Sequence, residues 1–76
     1  MAPALRDAIL AHLRTPNVGP RTAREVADAL AHTAPGYSRA TIGRALRQLA
    51  DAGELQRLHA PPGLRPAQTI WTYAPA

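Results

Sequence analysis

The chain contains no cysteine. Disulfides and thiolate metal sites are therefore both excluded, and a short chain loses two of its usual staples. Phenylalanine is absent too, and Tyr37, Trp71 and Tyr73 are the whole aromatic inventory. Of 76 residues 46% are hydrophobic, with alanine the largest share. Such a core is thin for a chain near the lower size limit of independent folding, so marginal stability or support from a bound partner is expected. Lysine is missing as well: all nine basic residues are arginines, set against five acids for a net charge of +4. A GC-rich coding bias offers one explanation for arginine and alanine together, but not for where the arginines sit. Guanidinium forks suit phosphate and guanine recognition better than ammonium groups do.

Long apolar runs are also lacking, so no segment approaches membrane-spanning length. The first fifteen residues hold Arg6, Asp7, His12 and Arg14, unlike a signal peptide. A soluble, cytoplasmic protein with no membrane partner is expected, organised as a single domain over 1–76 with no room for a separate sensor. His12, His32 and His59 are scattered without ligand spacing, which predicts no metal site. Asp7, Glu25, Asp28, Asp51 and Glu54 form no apparent acid/base pair, and Ser38 reads as a cap rather than a nucleophile. Neither catalysis nor a cofactor or small-molecule ligand is implied.

What is present is clean punctuation by proline and glycine. Pro3 precedes "ALRDAILAHLR", where Leu5, Ile9 and Leu13 repeat at helical spacing, predicting a first helix over 3–14. "TPNVGP" then ends it. "TAREVADALAH" opens with Thr22 and has Glu25 three residues later, the capping-box pattern, predicting a second helix over 22–32. "TAPGY" is a turn, Ser38 a natural N-cap, and Gly53 a C-cap for a third helix over 38–52. "ELQRLH" (54–59) and "TIWTYA" (69–74) have strand composition, joined by a Pro/Gly-rich loop over 60–68. Trp71 and Tyr73 share parity, so both should face the helices. A hairpin is unstable alone and must dock. Residues 19–21 are candidates for a small third strand beside it. The fold class is therefore mainly α with a small β-hairpin: a winged helix-turn-helix of three helices and a two- or three-stranded wing.

The third helix has two faces. Stepping about 100° per residue from Ile42 puts Leu46, Leu49 and Ala45 within about 60° of it. The opposite arc holds Arg47, Ala40, Arg44, Gln48 and Thr41, with no acid among them; Arg39 lies on the flank of the first turn. Arginine pairs with guanine, glutamine with adenine, and a small methyl meets thymine's methyl, so this arc suits a DNA major groove. Thr41, Ser38 and the free N–H groups of the first turn suit a phosphate. A generic solvated face would intersperse charge signs, whereas the acids Asp51 and Glu54 lie at or just past the far end. Gly43 is costly mid-helix by about 1 kcal/mol. Its two explanations are close packing against the second helix and close approach to a sugar-phosphate backbone.

The stretch "SRATIGRALRQLADAG" resembles the recognition helix of winged helix proteins of the cyclic-AMP receptor protein/FNR type. Their pattern is S-R-x-T-[VI]-[GS]-R-x-L-x-x-L, then a glycine and an apolar strand; more loosely it is similar to MarR- and GntR-type domains. The resemblance covers roughly half the chain and implies base contacts for Arg39 and Arg44 and a backbone contact for Thr41. Ala40 stands where those relatives often carry an acidic base-reader, implying a different sequence preference. The turn before the helix is longer than usual, and the cyclic-nucleotide sensor is not present.

Arg65, at the tip of the loop, is a candidate for the minor groove. Arg57, beside Gln56 on the first wing strand, and Arg21, ahead of the second helix, are candidates for phosphates. The expected partner is double-stranded DNA, bound by a homodimer or by two copies, since one recognition helix contacts few base pairs. Leu10, off the main stripe of the first helix, and the C-terminal strand are candidate dimer surfaces. The competing expectation is a protein-interaction module whose arginines meet an acidic partner.

Overall fold

The computed structural model describes residues 1–16, 19–59 and 71–76. Its elements run α1 (Pro3–Leu13), β1 (Arg21–Thr22), α2 (Ala23–Thr33), α3 (Arg39–Asp51), β2 (Leu55–His59) and β3 (Trp71–Pro75). The three strands form one antiparallel sheet in the order β1-β3-β2. This is the winged helix architecture the sequence predicts, with helix ends displaced by a residue.

Each helix boundary has a chemical cause. At α2 the Thr22 hydroxyl accepts from the Glu25 amide at 3.1 Å, and the Glu25 carboxylate accepts from the Thr22 amide at 3.0 Å. The capping box is thus complete. At α3 the Ser38 hydroxyl accepts from the Thr41 amide at 3.1 Å. The far end of α3 closes with Gly53 donating to Ala50 at 3.1 Å and Glu54 to Leu49 at 2.9 Å. That paired closure needs a left-handed residue, and Gly53 supplies φ +80°. Between α2 and α3 the Pro35–Gly36 turn also uses a left-handed glycine, Gly36 at φ +102°.

The core is built from one stripe of each helix and two strand residues. Leu5, Ile9, Leu10 and Leu13 of α1 meet Val26, Ala27 and Leu30 of α2 and Ile42, Ala45, Leu46 and Leu49 of α3. Leu55 and Tyr73 close it from the sheet, and Trp71 packs against its margin, so the shared parity of the two aromatics holds. Leu10 is only 4% exposed. The expectation that it sits off the core, free for a dimer surface, is therefore corrected: α1 buries a wider arc than its i, i+4 stripe because α2 and α3 both pack against it.

Three strand expectations need adjustment. The first wing strand starts at Leu55 rather than 54, because Glu54 is used in closing α3 and in binding Arg6. The small third strand is Arg21–Thr22 rather than 19–21, paired with Tyr73 and Thr72 of β3; Pro20 has no N–H to offer a ladder. The last strand runs through Pro75, opposite Leu55 at the sheet end, and residues 69 and 70 lie outside the described residues.

Candidate nucleic-acid interface

The outward surface of α3 divides into two rows, each an i, i+4, i+8 ladder. One row is Ala40, Arg44 and Gln48; the other is Arg39, Gly43 and Arg47, ending in the exposed Asp51. Neighbouring helices border them differently. On the α1 side, Thr41, Arg44, Ala45 and Gln48 line a groove of about 300 Å³ with Met1, Ala2, Leu5 and Tyr37. On the α2 side, the Arg39 guanidinium donates to Asp28 at 3.1 Å. Ala40, Arg44, Arg47 and Gln48 are exposed, and Thr41 is half-buried.

The arginines differ in what they already hold. Arg39 pairs with Asp28 and Arg21 with Glu25, both in solvent and both at 3.1 Å. Exposed pairs of this kind are worth little and exchange readily for another anion. Arg44 and Arg47 have no ion pair or hydrogen bond among the described residues. Two donor-rich groups therefore stand on one helix face without an ion pair among the described residues, although Asp51 lies one turn beyond Arg47 on the same face. Ser38 and Thr41 are engaged with each other as well as with the cap, their hydroxyls 3.0 Å apart.

Arg57 lies on the wing with its guanidinium carbon 4.6 Å from the centre of the Trp71 ring. The register explains the contact: Arg57 is opposite Tyr73 and His59 opposite Trp71, so Arg57 and Trp71 are diagonal neighbours on one sheet face. The exposed charge is thereby held flat rather than left to wander. Arg65 lies outside the described residues. Arg24, in the first turn of α2, is exposed without an ion pair among the described residues, and sequence reading passed over it. A basic residue facing out beside the capping box was the available signal.

The acids are drawn into structure. Arg6 binds Glu54 through Nε at 3.2 Å and also through its terminal nitrogen, and lies 3.5 Å from Asp7. The Arg6 hydrogen bond, outweighing partial desolvation, holds the Glu54 carboxyl below its ordinary value, and it raises the Arg6 guanidinium in turn. Glu25 is lowered chiefly by the Thr22 backbone N–H, with Arg21 adding to it. Among the described residues no group of three or more His, Asp or Glu is placed to hold a metal ion, and no helix is long and apolar enough to cross a membrane.

The packing explanation for Gly43 does not hold. A Cβ built there would meet nothing within 4 Å among the described residues. α2 approaches α3 elsewhere along its length, through Val26, Ala27 and Leu30.

The fold is similar to a known one. Over its whole length the chain superposes with TM-score 0.81 and 24% sequence identity on the ferric uptake regulator of Vibrio cholerae, spanning 53% of that chain. The chain is thus about half the length of this structural relative. No protein-family profile and no curated protein sequence matches it.

Proposed function

We propose that the protein is a small sequence-specific double-stranded DNA-binding protein, a transcriptional regulator or an accessory factor of a mobile element. The observation that carries this is the pair of arginines on the outward face of α3, Arg44 and Arg47, neither of them in an ion pair among the described residues; the face's one acid, Asp51, stands at its C-terminal end. The fold adds support, because the ferric uptake regulator it resembles is described as having DNA-binding domains that rearrange. In this reading α3 lies in the major groove. Ala40, Arg44 and Gln48 read base edges, while Arg39 and Arg47 meet the strand beside them. Ser38 and Thr41 present the first-turn amides to a phosphate. Arg21 and Arg57 add phosphate contacts at the margins, and Arg65 reaches the adjacent minor groove from the 60–68 loop. The carboxylates support binding over catalysis, since Glu25, Asp28 and Glu54 each hold a structural partner.

A single recognition helix reads few base pairs, so two copies act on one site. Selection of bound duplexes from a random library tests the reading. A consensus with two-fold symmetric half-sites about one helical turn apart is expected. A library that emerges unenriched would overturn sequence-specific binding, and enrichment of a single asymmetric half-site would overturn the two-copy arrangement.

A further inference from the structure

Among the described residues nothing takes up the space that Gly43 leaves. A glycine in a helix interior is destabilising by about 1 kcal/mol relative to alanine. The usual compensations are a left-handed backbone or a neighbour too close for a Cβ. Among the described residues Gly43 has neither: it lies within α3, it is not among the positive-φ glycines, and a Cβ there meets nothing within 4 Å. The two residues that flank it along its ladder are Arg39 and Arg47. Successive members are one turn away, and the span from Arg39 to Arg47 is about 12 Å along the axis. Arg39 leans to the α2 side, where Asp28 holds it, and Arg47 has no ion pair among the described residues. The row is therefore a bare stretch of helix backbone with a guanidinium on either side, and the Asp51 carboxylate lies one turn past Arg47, beyond the proposed seat.

We propose that the Arg39–Gly43–Arg47 row is the seat of one phosphodiester strand, which crosses α3 against the Gly43 backbone with an arginine clamping each flank. The proposal rests on the DNA-binding reading and deepens it by dividing the face. The Ala40–Arg44–Gln48 row reads bases, and the Gly43 row holds the sugar-phosphate chain. Three features fit. The missing side chain allows the closest approach a helix offers. The flanking groups are the type that bonds phosphate in a bidentate way. The Arg39–Asp28 pair is solvent-exposed, with side chains 66% and 60% accessible, so a phosphate replaces the carboxylate at little expense.

The test is a short steric series, Gly43→Ala and Gly43→Leu, with Arg47→Ala beside it. Each is measured for thermal stability and for affinity to two probes, a random-sequence duplex and the best duplex from selection. Gly43→Ala is expected to raise Tm by roughly 4–8 °C, since the helix gains and nothing clashes. The same variant is expected to weaken both duplexes equally, by about tenfold, as the strand is pushed off one charge-assisted contact. Gly43→Leu weakens them further while remaining folded, and Arg47→Ala weakens both equally and makes the salt dependence shallower by about one phosphate.

A Gly43→Ala protein that is more stable and binds both duplexes as the parent does would overturn the proposal. So would a fall in Tm, which would reveal a protein contact at Gly43, or a loss confined to the selected duplex, which would make the site a base contact. If the parent protein binds neither duplex at low salt, the DNA-binding reading itself fails, and that is seen before any variant is made.

Discussion

Arg44 and Gln48 stand one turn apart beside a groove floored by Leu5 and Ala45. That setting gives them a fixed bed without consuming their hydrogen-bonding groups, which is what a base-reading side chain needs. Arg44→Ala should therefore weaken the selected duplex by about 1–3 kcal/mol and random DNA little, measured by competition binding; equal losses on both would make Arg44 a phosphate contact. The helical wheel separated these residues from Ile42, Leu46 and Leu49 because a single period governs both faces. It did not show which arginines are already paired. Arg39 with Asp28 and Arg57 with Trp71 are long-range contacts set by how α2 meets α3 and by strand register, and neither has a local signal. Gly43 stood out in the sequence through its helix cost, but only the packing around it separated its two explanations.

At the scale of elements, α1 and the α3–β2 corner are joined by Arg6 and Glu54. The Glu54 carboxyl titrates below its ordinary 4.5 because Arg6 bonds its charged form, and Glu25 does so because the Thr22 amide bonds its own. A group whose folded pKa is depressed stabilises fully above its unfolded value and loses that contribution as pH falls through the folded one. Tm is therefore expected to be level above the ordinary carboxylate range and to decline below it. Glu54→Gln should remove part of that decline, checked by calorimetry across the acid range. An unchanged acid profile would show that the Arg6 bond does not persist in solution. The starts of α2 and α3 and the end of α3 were legible because Thr22 with Glu25, Ser38 and Gly53 mark them, and Pro3 marks the start of α1. The wing was less so. Glu54 has strand-like neighbours in the sequence, but the closure of α3 and the reach of Arg6 claim it, and β1 is only two residues because Pro20 and the Thr22 cap bound it.

For the whole molecule, the distribution of charge matters more than its sum. Five acids are few, and four of them are tied to arginines away from the outward rows or at their border: Asp7 and Glu54 to Arg6, Glu25 to Arg21, Asp28 to Arg39. What is left facing out from α3 is cationic up to Asp51 at its C-terminal end, on a fold shared with half of a larger regulator. The motif "SRATIGRALRQLADAG" located that helix correctly, while the whole-chain likeness is to a regulator other than the type the motif resembles; the pattern marks a winged helix without selecting among them. If the face meets a duplex, the phosphates neutralised by Arg39, Arg47 and the wing arginines release counterions on binding. The most direct measurement is duplex affinity across a salt series. A linear log–log dependence with a slope of roughly −3 to −5 per protomer is expected. A flat dependence, or no binding to any duplex at low salt, would contradict it and point the arginines of α3 at an acidic protein instead.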